Sequence, residues 1–263
     1  MERAVVTGAG SGLGAALCDV LAARGAQVIA ADIDLASAQA TADRCGSKVH
    51  AVQCDVTELA AVERLAAETE RLIGGVDFVV NNAGVAVVGQ IGEVPIADWR
   101  WVIDVNIWGV IHGCHVFAPR MRAQKRGNIL NVASAAGLIA MPTMAPYNMT
   151  KAAVVALSET LYADLASDGV GVSVLCPSFF PTNLTRSPRT STDQKLHQAA
   201  MRLVAKGGWT ADGVARAAIT AVEGGALHIA PQFDVGVAWR LKRLAPKAFQ
   251  RASRFAAKLM IRG

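Results

Sequence analysis

Seven short apolar runs, most of them rich in valine, isoleucine or leucine, recur along the chain and are separated by longer segments in which alanine and leucine predominate. The runs are Ala4 to Thr7, Gln27 to Asp32, Val49 to Cys54, Phe78 to Asn81, Asn128 to Val132, Gly171 to Cys176 and Leu227 to Ala230. A strand with one wet face alternates apolar and polar residues; most of these runs do not, so both of their faces need cover. Parallel strands joined by crossover helices meet that need, and the order predicts an α/β fold built on a doubly wound parallel sheet. Helical period is clearest from Thr57 to Ile73, where Leu59, Val62, Leu65, Ala66, Leu72 and Ile73 share a face and Thr57 is the expected N-cap. With 263 residues and 52% hydrophobic content, one large core is the simplest arrangement, expected over residues 1–238, with 239–263 as a tail.

The space between the first run and a helical segment from Ala15 to Ala23 is filled by Thr-Gly-Ala-Gly-Ser-Gly-Leu-Gly, residues 7–14. Glycines there permit a tight turn and let backbone approach a pyrophosphate, whose charge the following helix N-terminus stabilises. Gly8, Ser11, Gly12, Leu13 and Gly14 are therefore candidate cofactor contacts in a Rossmann-type fold, although a glycine turn alone also describes an ordinary loop. Asp32 stands at the end of the second run. An acidic side chain there accepts hydrogen bonds from a ribose 2′-hydroxyl and repels a 2′-phosphate, and neither Ser11 nor the adjacent Ile33 supplies a cation. NAD is expected rather than NADP; the alternative for Asp32 is a strand-end or capping role, as for Asp34.

Tyr147 and Lys151 stand four apart at the start of a segment, Tyr147 to Leu165, that reads as helix, and so lie on one face. A free tyrosine, with a pKa of about 10, is a poor base at neutral pH, but a nearby ammonium and the positive charge of an oxidised nicotinamide stabilise its phenolate. Such a tyrosine accepts a proton in alcohol oxidation and donates one in carbonyl reduction. By itself the pair equally describes a surface tyrosine beside a solvated lysine.

Taken together, the glycine turn, Asp55 in Cys-Asp-Val-Thr, Asn81-Asn82-Ala83-Gly84, Asn106 in Val-Asn-Ile-Trp-Gly, Ser134 and Tyr147-Asn-Met-Thr-Lys151 make the chain resemble the short-chain dehydrogenase/reductase family over about residues 3–235. The resemblance implies a catalytic set of Asn106, Ser134, Tyr147 and Lys151. Ser134 would hydrogen-bond the substrate oxygen, and Asn106 would hold a water that connects Lys151 to solvent. It further implies that Asp55 and Val56 meet the adenine, that Asn82, Ala83 and Gly84 pass along the cofactor, and that Lys151 bonds the nicotinamide ribose. Pro177, Phe180 and Thr182 are expected near the nicotinamide. Where relatives commonly have Pro-Gly the chain has Pro177-Ser178, which leaves the contacts of Phe179 and Phe180 open. Relatives are commonly homodimers or homotetramers.

Other signals point away from competing chemistries. The five cysteines are odd in number and lack C-x-x-C spacing, so reduced, mostly buried thiols are expected, with no disulfide or zinc framework. His112 and His115 have no carboxylate or cysteine to complete a metal set, and no metal is expected. Asn183-Leu184-Thr185 fits a glycosylation acceptor, but the chain runs from Met1 directly into Ala4 to Val6 with no secretory leader, and a cytoplasmic protein is expected.

The substrate is expected among Val85 to Gly89, Leu138 to Met144 and Phe179 to Arg189. Val87, Val88, Leu138, Ile139, Met141, Met144, Phe179, Phe180 and Leu184 there favour a hydrophobic alcohol or ketone, unless they are loop core. Arg186 and Arg189 read as solvated loop charges, with an acidic substrate group as the alternative. The net charge of +5 resides in the tail: residues 239–263 hold eight basic residues and no acidic one, while the body carries more acidic than basic groups. A nucleic-acid role is therefore not expected. Arg240, Arg243, Lys247, Arg251, Arg254, Lys258 and Arg262 recur at helical spacing beside a stripe of Leu241, Leu244, Ala248, Ala252, Phe255, Ala256 and Leu259, broken or started near Pro246. This amphipathic helix would contact a membrane surface, its own subunit or a partner. Two other functions stay open: an NADP-dependent carbonyl or acyl-thioester reductase, and a cofactor-binding regulatory protein without turnover.

Overall fold

A computed structural model describes residues 1–181 and 208–262. Seven parallel strands, β1 (Arg3–Thr7), β2 (Gln27–Asp32), β3 (Val49–Gln53), β4 (Phe78–Asn81), β5 (Gly127–Val132), β6 (Val170–Leu175) and β7 (His228–Ile229), form one sheet in the order β3-β2-β1-β4-β5-β6-β7. All seven lie within a residue of the expected runs. The crossovers carry α1 (Gly12–Ala23), α2 (Leu35–Cys45), α3 (Leu59–Ile73), α4 (Ile96–Ile103), α5 (Gly109–Gln124), α6 (Ala135–Ile139), α7 (Ala145–Asp164) and α8 (Ala211–Glu223). After β7 come α9 (Phe233–Leu244) and α10 (Pro246–Arg262), so α9 runs through residue 238 and the tail divides at Ala245-Pro246.

The strands are apolar throughout because alternate side chains enter two different cores. Val5, Ile29, Val79, Ile129 and Val172 pack with α3, α5 and α7 on one face. On the other, Ala4, Val6, Val28, Phe78, Val80 and Leu130 pack with α1 and α8. Chain order reverses between β1 and β4, and the crevice outside their carboxyl ends is where a doubly wound sheet accommodates a ligand.

The start of α3 differs from expectation. Glu58, not Thr57, stands at its N-cap, because the Thr57 hydroxyl is engaged by Asp55: its N–H and O–H both donate to Asp55 Oδ1, at 2.9 and 2.7 Å. Asp55 thereby stiffens the turn after β3. Between α4 and α5 the backbone widens into a five-residue π turn, Asp104–Trp108. Such turns interrupt the helical ladder and recur at functional sites.

All five cysteines are free thiols. Burial pushes Cys54 up to about 11 and Cys45, Cys114 and Cys176 up to about 12, so none is a thiolate at neutral pH. Among the described residues no three His, Cys, Asp or Glu side chains gather as a metal site; His112 Nδ1 instead pairs with the Val56 carbonyl at 2.9 Å, and His115 is exposed. No described helix is long and apolar enough to cross a membrane.

Candidate active site

The glycine turn leaves β1 and enters α1 at the switch point. Gly8 has φ +64 and Gly12 φ +56, a region that side chains with a Cβ rarely adopt. A Cβ on Gly14 would lie 2.1 Å from the Gly8 carbonyl oxygen, so the first turn of α1 can pack this closely only with glycine. Thr7 joins the two sides of the crevice: its hydroxyl accepts from the backbone N–H groups of Asn82 at 3.0 Å and Ala83 at 3.1 Å. Asn82 Nδ2 donates back to the Thr7 carbonyl at 2.8 Å. Ser11 is exposed at the N-cap of α1 without a side-chain bond, and Leu13 is buried. The result is a cradle of backbone N–H groups at a helix N-terminus, the chemistry a dinucleotide pyrophosphate needs.

Asp32 closes the outer end of this cradle. Its Oδ2 accepts from Gly10 N–H at 2.8 Å and its Oδ1 from Asp34 N–H at 3.0 Å. The carboxylate is thus fixed toward the glycine turn, and each oxygen retains capacity for a ribose hydroxyl. Asp34 takes the capping role, accepting from Ala36 N–H at the start of α2. Ile33 is 62% exposed beside them, and Val56 is buried against Gly109. Gly10 is an addition to the sequence-derived contacts, since a Cβ there would lie 2.6 Å from Ser37 and 2.9 Å from Asp32.

On the far side of the sheet end, Tyr147, Lys151 and Asn106 are buried together, and Ser134 is half-buried. Ser134 is the N-cap of α6, its Oγ accepting from Ala136 N–H at 3.1 Å, and its hydroxyl draws the Tyr147 phenol toward the ionised form. The Ser134 segment is held to the end of β6 by Ala133 N–H to the Leu175 carbonyl at 2.8 Å and Ala135 N–H to the Pro177 carbonyl at 2.9 Å. Lys151 Nζ donates to the Val132 carbonyl at 2.8 Å and sits 5.8 Å from the centre of the Tyr147 ring. Burial pushes the phenol up to about 12, against the pull of the Ser134 hydroxyl, and burial brings the lysine down to about 8. In the chain alone the tyrosine is therefore a neutral acid.

Asn106 lies in the π turn with its side chain committed to protein. Val85 N–H donates to its Oδ1 at 2.8 Å, while its Nδ2 donates to the Val85 carbonyl at 2.9 Å and to Thr150 Oγ1 at 3.1 Å. Asn106 Oδ1 and Lys151 Nζ nevertheless converge: a Cβ on Gly84 would lie 3.3 Å from each.

Two of the three segments expected to border the substrate meet here. Gly89 N–H donates to the Thr143 carbonyl at 2.7 Å, and Asn148, one residue past Tyr147, ties both polar groups of the Met141 backbone to α7. Ala140 and Thr143 hold positive φ values of 48 and 61 within that loop. Val87, Leu138 and Phe180, read as lining residues, have their side chains in packed clusters instead. Phe180 in particular packs in the same core cluster as Leu13 and Leu17 of α1. Thr182, Asn183, Leu184, Thr185, Arg186 and Arg189 lie outside the described residues.

The backbone beyond Pro177 has a partner that the sequence did not disclose. Gln232, 5% exposed at the start of α9, accepts from Ser178 N–H at 3.0 Å through Oε1, and its buried Nε2 has no hydrogen-bond partner among the described residues. A second bond, from Lys242 Nζ to the Leu138 carbonyl at 2.6 Å, ties α9 to α6.

Comparison with known proteins agrees with this geometry. The family model for short chain dehydrogenases matches residues 2–193. An uncharacterized oxidoreductase of Staphylococcus aureus (strain N315) is 34% identical over 194 residues, which cover 73% of this chain and 84% of that protein. A short chain dehydrogenase/reductase from Burkholderia phymatum, solved in complex with NAD, superposes with a TM-score of 0.88 at 36% identity over 94% of each chain. A short-chain dehydrogenase from Sphingobium yanoikuyae, solved in complex with NADPH, gives a TM-score of 0.78 at 25% identity over 95% of this chain and 96% of that one. With its glycine cradle, doubly wound sheet and matched length, the chain belongs to the short-chain dehydrogenase/reductase family of oxidoreductases.

Proposed function

We propose that the chain is an NAD-dependent oxidoreductase that interconverts a hydrophobic secondary alcohol and its ketone, with Tyr147 as general acid and base. The observation that carries this reading is the burial of Tyr147 beside Lys151, whose Nζ lies 5.8 Å from the phenol ring centre, with the Ser134 hydroxyl acting on the same phenol, at the end of the crevice that the glycine turn opens. A bound nicotinamide dinucleotide supplies the hydride acceptor or donor. The protein's own groups manage the oxygen and its proton.

In oxidation, Tyr147 Oη takes the proton of the substrate hydroxyl, and Ser134 Oγ donates to the same oxygen as its charge builds. In reduction the phenol returns the proton to the carbonyl oxygen. A phenol pushed up to about 12 is well suited to giving a proton, and a positive charge brought in by the cofactor is what makes it an acceptor at lower pH. Lys151 would bond the ribose of the cofactor, and a water between Asn106 and Lys151 would relay the proton to solvent. The backbone of Asn82, Ala83 and Gly84, with Asp55 and Val56, would border the nucleotide, and Pro177 and the Phe180 backbone its nicotinamide end, where the family resemblance also leads one to expect Thr182.

The choice of NAD rests on Asp32, whose fixed carboxylate would face a 2′-phosphate at short range. The NADPH-bound relative supports the competing reading, an NADP-dependent carbonyl or acyl-thioester reductase. A cytoplasmic homodimer or homotetramer is the form we assign. Tyr147→Phe tests the mechanism: NAD binding is retained while turnover falls by about a thousandfold. Undiminished turnover removes Tyr147 from the chemistry, and a wild-type protein that binds NAD without turnover is the regulatory alternative.

A further inference from the structure

The two faces of α9 differ in kind. Val235, Trp239 and Lys242, spaced four and three apart, point to the body, where Val235 is buried, Trp239 packs on the core and 4.9 Å from the His228 ring, and Lys242 holds α6. The opposite face carries Phe233, Val237, Leu241 and Leu244, also at helical spacing, and these are 83%, 36%, 52% and 83% exposed. Phe255 on α10 is 65% exposed. A soluble surface does not usually present five large apolar side chains on one short stretch of chain.

Charge decides what covers them. Arg240 flanks the apolar stripe one position before Leu241, and Lys247, Arg251 and Arg254 are exposed along α10. Asp234, exposed in the first turn of α9, is the one acidic residue on these two helices, and residues 239–263 hold none. A twofold contact between copies through this face would bring like charges together, which opposes it. A surface of exposed apolar side chains rimmed by lysine and arginine matches the interface of an anionic bilayer, where apolar groups enter the acyl boundary and cations meet the headgroups.

We propose that the outward face of α9 and α10 docks the protein peripherally on an anionic lipid membrane. The docking does not depend on the catalytic assignment, because it is read without turnover. Its consequence for the enzyme is positional: α9 is bonded to Leu138 beside Ser134, so the substrate end of the crevice is carried close to the lipid.

The test is co-sedimentation of the full chain with phosphatidylcholine vesicles, with and without phosphatidylserine at about a third of the lipid. Wild type is expected to sediment with the anionic vesicles, to be released by high salt, and to bind zwitterionic vesicles at least tenfold less. Leu244→Glu with Phe255→Glu, both at exposed positions, should lower anionic binding by tenfold or more while circular dichroism and NAD binding stay unchanged. Arg240→Gln and Arg251→Gln should each lower it about fivefold, the equivalent of ~1 kcal/mol per cation near the surface. Equal affinity for both vesicle types, or wild type remaining in the supernatant, overturns the proposal. So does a Leu244→Glu, Phe255→Glu protein that changes oligomeric state in sedimentation velocity but binds vesicles as wild type does, since the face is then a contact between copies.

Discussion

The crevice end of the sheet and the C-terminal pair of helices treat their unusual residues in opposite ways. At the crevice, polar groups that would be costly to bury are nearly all paired: Asn106 makes three bonds, Lys151 one to a strand carbonyl, and Thr7 unites β1 with the turn after β4. Along α9, large apolar groups that would gain by burial remain in water. The first region is fixed by the body of the fold and is ready before any ligand arrives. The second presents a face that no other described residue covers. Among the described residues two hydrogen bonds join the two regions, from Ser178 N–H to Gln232 Oε1 and from Lys242 Nζ to the Leu138 carbonyl.

Substitutions can sharpen this contrast. The largest effect is expected at the crevice from Ser134→Ala, which removes the hydroxyl that acts on the Tyr147 phenol. Turnover should fall by about a hundredfold to a thousandfold with little change in the Michaelis constant for NAD, measured by steady-state kinetics. A loss confined to NAD affinity would move Ser134 out of the reacting centre.

Lys151→Met reports on stability rather than rate. Below pH 8 the lysine is charged in folded and unfolded chains alike, and the folded chain bears the cost of burying it. Between the folded value of about 8 and the ordinary value of 10.5, the unfolded chain binds a proton that the folded chain does not. Wild-type stability should therefore rise by about 3 kcal/mol relative to Lys151→Met across that window in denaturant titrations. A difference that stays flat with pH would show the amine to be better solvated than its burial indicates.

Asp32→Asn should reduce the preference for NAD over NADP by about tenfold to a hundredfold, with the Gly10 bond retained by the amide oxygen. An unchanged preference would locate cofactor choice elsewhere. The smallest effect belongs to the junction. Lys242→Met should cost about 1 kcal/mol and raise the Michaelis constant for the alcohol more than for NAD, because the bond reaches only the Leu138 segment. Equal changes in both constants would mean that α9 supports the whole crevice.

The sheet was legible from sequence because its strands are covered on both faces and stay apolar for their full length, as Phe78 to Asn81 does. The glycine turn was legible because Gly8 and Gly12 need positive φ and Gly14 needs contact with the Gly8 carbonyl. Helix α2 was not, since only Ala38, Thr41 and Ala42 are buried on it and no apolar period results. The π turn around Asn106 has the composition of ordinary helix. Thr7, Asn148, Gln232 and Lys242 escaped notice because each acts through a backbone group, often one distant in sequence, which leaves no local pattern. Among candidate lining residues, Val87, Leu138 and Phe180 looked like pocket and are packed in clusters; an apolar loop residue carries the same signal for both.

The central claim is that this crevice oxidises apolar alcohols with NAD. It is met most directly by incubating the wild-type protein with a panel of hydrophobic secondary alcohols and NAD or NADP in parallel, and following formation of the reduced cofactor. The account predicts NADH formation with at least one alcohol and little or no NADPH formation with the same alcohol; turnover with NADP alone, or tight NAD binding with no turnover of any alcohol or ketone, would contradict it.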